Sequence, residues 1–199
     1  MSWFNKMVLA NLVLLALALA GCASKSHTPP VEKQHQEKLS ATVNMPFDTA
    51  WQALMDYACS SFFVIDTFDK ISGVIKLSFG GSQAHEFIDC GTIKEDTPEF
   101  KYSGPYTRFL EQYADAKLQG KMTLIVKELG PKKTSIRATG SYTFMANLTE
   151  PAAWIFTSDT SSTLTLSAEQ SMRDSTQTRS CQSNSRAEKK IIQIINLLK

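Results

Sequence analysis

Residues 121–146 read KMTLIVKELG PKKTSIRATG SYTFMA, and their pattern decides the architecture. Ile136, Ala138, Gly140, Tyr142 and Phe144 alternate with Arg137, Thr139, Ser141 and Thr143. A period of two puts the first set on one face of a strand and the second set on the other. KMTLIVKEL is a second strand and GPKK the turn between them, so the stretch predicts an antiparallel hairpin. Its polar second face requires a sheet that is covered on one side only.

Working outward, the pattern changes to helical spacing twice. In PFDTAWQALMDYACS, residues 46–60, Trp51, Leu54, Met55 and Ala58 fall on one stripe, and Cys59 is expected to share it. Pro46 marks the entry and Asp48 is a candidate cap for the first turn. At the other end, Ser185 and Glu188 have the spacing of a capping box. Ala187, Ile191, Ile194, Ile195 and Leu198 follow as an apolar stripe.

Between and around these lie strand-like runs: LSATVNM, FFVID, VIKLSF, AHEFIDCG, WIFTS and TSSTLTLSA. FDKISG reads as a turn, and Gly80 and Gly81 end a strand. Residues 95–120 hold Pro98, Gly104 and Pro105, then a short helix is expected over 107–118. Positions 157–183 contain fourteen Ser or Thr among twenty-seven residues, expected as part strand and part mobile loop. The order β, α, several β, α predicts an α+β fold. Its antiparallel sheet would carry an N-terminal and a C-terminal amphipathic helix packed on one face.

The chain has 199 residues, 43% of them hydrophobic and 20% charged, which is a globular composition. Lys and Arg number 21 against 19 Asp and Glu, a net charge of +2, so no nucleic-acid footprint is present in the charge balance. Lys6 precedes an apolar run, residues 8–20, interrupted only by Asn11. Its thirteen residues fall short of the ~20 needed to span a bilayer, so the segment reads as a signal peptide.

The run ends in LAGC, residues 19–22, which resembles the lipobox of bacterial lipoproteins. That resemblance implies cleavage before Cys22, diacylglycerol on its thiol and an acylated amino terminus, a set of chains sufficient for stable anchoring. Ala23, where aspartate would signal inner-membrane retention, resembles the pattern sorted to the outer membrane, lipid-anchored and facing the periplasm. The expected organisation is a signal peptide over 1–21, a lipidated cysteine and flexible spacer over 22–38, and a single α+β domain over 39–199. The spacer, with Pro29 and Pro30 and few apolar residues, has too little to bury to offset its ordering entropy. The FDTAWQAL helix, the VIDTFDKISGVIKL strands and the closing helix resemble the helix-grip layout of BamC-like outer-membrane lipoproteins.

Beyond Cys22, the cysteines are Cys59, Cys90 and Cys181. An oxidising compartment permits one bridge. Cys59 on an apolar helical stripe would behave as a small hydrophobe, which makes Cys90–Cys181 the expected disulfide. Such a bridge would pin the start of the last helix to the sheet; three buried thiols are the rival reading.

Motifs for chemistry are sparse. His85, Glu86, Asp89 and Cys90 form the densest set of ligand types, with His85, Phe87 and Asp89 on one face if HEFIDC is a strand, but the string lacks the spacing of a zinc helix. His27 and His35 lie in the spacer. Asp66 and Asp69, or Glu95, Asp96 and Glu99, are candidate carboxylate pairs for glycan cleavage. GxSxG and P-loop motifs are missing. The expectation is therefore no catalytic residue, no metal and no cofactor. Tyr102, Tyr106, Arg108, Phe109 and Tyr113, with Phe100 and Lys101 beside them, form a candidate partner surface, since Tyr and Arg are favoured interface anchors.

These features together predict a non-enzymatic envelope lipoprotein. It would be held to the membrane by its lipid and bind protein partners, without nucleic acid. The alternatives are a carrier of a lipid or small hydrophobic ligand in a groove between helix and sheet, and a cell-wall glycan hydrolase.

Overall fold

The computed structural model describes residues 26–31, 39–98, 100–167 and 176–197. In chain order the strands are β1 (Ser26–Thr28), β2 (Ser40–Val43), β3 (Val64–Asp69), β4 (Val74–Gly81), β5 (Ile88–Asp89) and β6 (Thr92–Asp96). There follow β7 (Lys101–Pro105), β8 (Lys117–Gly130), β9 (Lys133–Asn147), β10 (Pro151–Thr157), β11 (Ser161–Leu166) and β12 (Gln177–Ser183). The helices are α1 (Phe47–Ser60), α2 (Tyr106–Tyr113) and α3 (Arg186–Leu197), and Ala84–Glu86 form a 3-10 turn.

The hairpin β8–β9 is the spine. Leu124 faces Ala138 and Val126 faces Ile136, and all four side chains are buried. Arg137 and Ser141 lie exposed on the opposite face. Strands β10, β9, β8, β4 and β3 follow one another across a six-stranded antiparallel sheet, and β2 pairs with the far end of β9. Phe79 of β4 lies over Gly120 of β8. A Cβ at Gly120 would stand 2.4 Å from that ring, so glycine is what permits the close packing.

The expected architecture is corrected here. The chain does not form one sheet with an N-terminal and a C-terminal helix on one face. It is mostly antiparallel β, 53% strand and 24% helix over the described residues, and of its three helices one lies mid-chain and one at the C-terminus. Two further three-stranded sheets, β1-β6-β7 and β11-β12-β5, stand beside the main one. Both arise from stretches whose alternation is weak in sequence. In the Ser/Thr-rich stretch, Ser161 to Leu166 pair with Gln177 to Gln182; threonine, being β-branched, suits a pleated surface. Part of this stretch, residues 168–175, lies outside the described residues.

The helices also differ in detail from expectation. No side chain caps α1 at Pro46; Asp48 instead pairs with Lys70 at 2.8 Å on the surface. Ala50, Trp51, Leu54 and Ala58 are buried and Cys59 is exposed. At 100° per residue, the seventh residue after Trp51 returns to its stripe and the eighth overshoots it by ~80°, which places Ala58 inside and Cys59 out. The short mid-chain helix begins at Tyr106 and ends at Tyr113.

The disulfide is Cys90–Cys181, with both residues fully buried. It joins the end of β5 to β12, next to the pairs Asp89–Gln182 and Ile88–Ser183 and a few residues before α3.

One part of the expected flexible spacer is docked rather than free. Ser26, His27 and Thr28 pair with Lys94, Ile93 and Thr92 of β6. The chain then crosses Gly91, whose φ is +77° and where a Cβ would lie 2.1 Å from the Thr28 carbonyl oxygen. Gln182 Nε2 donates to the Val31 carbonyl at 2.7 Å. A polar tripeptide buries little, but the edge of a hairpin offers it backbone partners, and that supplies what its composition lacks. Residues 1–25, with Cys22 and the LAGC string, and residues 32–38, with His35, lie outside the described residues.

Candidate functional site

Strand β3 is the open edge of the six-stranded sheet: among the described residues it is hydrogen-bonded only to β4. The sequence reading ended the strand at Asp66, but it runs on to Asp69 past an irregularity between Ile65 and Thr67. The edge is apolar and uncovered. Val64 is 61% exposed, Phe68 60%, and Ile71 in the following turn fully exposed. Two of the candidate carboxylates are spent locally. Asp66 accepts a hydrogen bond from Ser78 Oγ at 2.8 Å, and Asp69 Oδ1 accepts the Ile71 N–H at 2.9 Å. Hydrogen bonds from Ser72 hold the Asp69 carboxyl below its ordinary value.

A groove of about 390 Å³ adjoins this edge, lined by Phe62, Val64, Ser78, Phe79, Gly80, Gln119, Gly120 and Lys121. Its apolar side is part of a ring cluster in which Phe62 packs on Phe63 at 4.2 Å and on Phe87 at 5.2 Å between centroids. Lys190 of α3 lies 5.6 Å above the Phe62 ring. An uncovered apolar edge beside a groove can take an added strand: main-chain bonds supply affinity, and the groove seats a side chain.

The five residues expected as a partner surface are divided by the fold. Tyr106 is buried, with the Arg179 guanidinium 5.0 Å from its ring centre and the His27 ring edge-on at 6.3 Å. Tyr102 and Phe109 are half-buried and pack at 5.3 Å, and the Tyr102 hydroxyl donates to the Pro105 carbonyl at 2.8 Å. Burial pushes the Tyr102 phenol up. Phe100 and Phe109 close on Tyr113 at 5.2 and 5.1 Å. Of the five, Arg108 and Tyr113 remain exposed.

His85 does not meet Asp89 on a strand face. It sits in the 3-10 turn, where its Nδ1 lies 2.7 Å from Glu111 Oε2 and its backbone N–H donates to Glu111 Oε1 at 2.9 Å. Asp89 accepts the Gly91 N–H at 2.7 Å. Two bonds from one carboxylate to one histidine fasten the turn to α2. Among the described residues no three His, Cys, Asp or Glu groups stand close enough to hold a metal ion.

A buried polar knot was not visible in the sequence. Glu188, expected to reach back toward Ser185, points into the core and accepts hydrogen bonds from Tyr142 Oη at 2.8 Å and from Ser158 Oγ. The Ser185 N–H is bonded to Ser183 Oγ at 2.8 Å. Burial, then the Glu188 charge, push the Tyr142 phenol well above its ordinary value. At Gly140 a Cβ would lie 2.3 Å from Glu188 Oε1, so the bare backbone makes room for the carboxylate. The only early signal was Gly140 interrupting an apolar face. The knot fixes α3 against β9, a positioning role.

Compared with known proteins, the chain matches no family model, and no curated protein or solved structure is recognisably similar to it.

Proposed function

We propose that this chain is a non-enzymatic, lipid-anchored lipoprotein of the bacterial outer membrane that faces the periplasm and binds a protein partner along β3. The observation that carries the binding reading is the open apolar edge, Val64 and Phe68, beside its groove. The LAGC string supports the anchor at Cys22. A fully buried disulfide that ties the end of β5 to β12 within one sheet suits a compartment in which disulfides persist. In this reading the lipid confines the domain to a surface, which raises the partner's effective concentration without any new contact.

The test is a double substitution, Val64→Lys with Phe68→Lys, followed by gentle detergent extraction and co-purification. Lysines on an edge oppose strand addition. Both positions are exposed, so stability should change by only about 0.5 kcal/mol. Recovery of envelope partner should fall about tenfold, the equivalent of ~1.4 kcal/mol of binding. Unchanged recovery of the same partner would remove β3 as the binding edge.

A further inference from the structure

Four peptide units separate Cys22 from Ser26, where the docked chain begins. Fully extended, they reach at most about 14 Å. We infer that the end of the β1-β6-β7 sheet marked by the Asp96–Lys101 pair, with the tip of α2, rests against the lipid surface. The inference relies on the reading of Cys22 as the lipid-bearing residue.

The direction follows from the register. Ser26 pairs with Lys94, and the two residues from Lys94 to Asp96 carry β6 ~7 Å further toward its turn. Asp96 pairs with Lys101, which follows Phe100, and the Phe100 ring packs on Tyr113. The chain therefore leaves toward Cys22 at the end of this sheet that carries the Phe100 and Tyr113 rings. A spacer counted as sixteen residues would have let the domain turn freely; docking residues 26–31 shortens the leash to a few. Tyr113, exposed and with one apolar and one polar end, favours the boundary between headgroups and hydrocarbon. Charge does not drive the contact, because Glu95 and Asp96 stand beside Lys94 and Lys101. The occupant that fits is a zwitterionic lipid surface brought close by the anchor.

The full acylated protein, purified from membranes, is reconstituted in phosphatidylcholine vesicles with or without brominated phosphatidylcholine. Tyr113→Trp is the reporter, with Gln112→Trp, exposed on the same turn, as a second one. Ile71→Trp is the control, because it lies at the end of β4 away from Gly81 and the 3-10 turn that α2 holds. After subtraction of the buried Trp51 and Trp154 emission, bromolipid should lower the reporter signal about twofold and leave the control unchanged. Acylated protein, verified by mass, with unquenched reporters would overturn the lipid contact while leaving the anchor standing, and would free this face for a protein partner. Equal quenching at Ile71→Trp would overturn the orientation. Protein recovered without the acyl mass would overturn the anchor and this inference with it.

Discussion

Replacing Cys90 and Cys181 by alanine lowers the free energy of unfolding by about 4–5 kcal/mol. The two residues are separated by 91 positions, and the loss of loop-closure entropy in the unfolded chain sets that scale. Against a total of about 5–15 kcal/mol for a typical domain, the loss leaves the variant marginal at 37 °C. The damage should begin locally. The cystine ties β5 to β12, and its neighbour Gly91 accepts the Tyr106 N–H at 2.8 Å where α2 starts. Urea titration of the oxidised protein and the double variant, both carrying Cys59→Ser to prevent exchange with the exposed thiol, measures the difference. A change below about 1 kcal/mol would mean that the bridge closes no costly loop.

Glu188→Ala should destabilise by about 3–5 kcal/mol, because it removes the buried carboxylate to which the Tyr142 and Ser158 hydroxyls donate and opens a void. Tyr142→Phe, which removes one donor to a carboxylate, should cost about 1.5–3 kcal/mol. The same tyrosine gives the protein an alkaline limit. Its phenol is held above its ordinary value of 10.0 by burial and by Glu188. Below the unfolded value both states keep the proton and the contribution is complete. As pH rises past about 10 the unfolded chain sheds its proton first, and stability falls by up to ~1.4 kcal/mol per pH unit from this group. Chemical denaturation at pH 8, 10 and 11 should show that component in the native protein and a smaller slope in Tyr142→Phe. Equal slopes would show that Tyr142 is not held protonated by the fold.

Elements whose information is local were legible in the sequence. The β8–β9 hairpin follows from alternation around GPKK, and α1 and α3 from their apolar stripes. The cystine could be reached by eliminating Cys59, although the reason given for the elimination was wrong, because Cys59 faces out. Elements that exist only through a distant partner were not legible. Lys101–Pro105 holds a glycine and a proline, and it becomes a strand because β6 pairs with it and α2 covers it. Ser26–Thr28 has no burial signal and owes its place to β6 and to the gap at Gly91. Those pairings make one further sheet, and the β11–β12 and β12–β5 pairings make the third. The β3 edge was hidden for a related reason: Phe68 reads as a turn residue beside Asp69, and only the sheet order shows that nothing among the described residues pairs beyond it. The aromatic set failed as a uniform surface because Tyr106 is needed inside, under Arg179.

Location at the membrane is the premise on which partner binding and the lipid contact both rest, and it turns on Cys22. Cells expressing the wild-type chain or Cys22→Ser are grown with labelled palmitate, and the protein is captured and fractionated. The account predicts label in the wild type and its recovery with outer membranes. It predicts no label in Cys22→Ser, and a precursor left uncut before position 22. A wild-type protein that takes up no palmitate, or a Cys22→Ser protein that is processed at the same bond and stays equally membrane-bound, would contradict it.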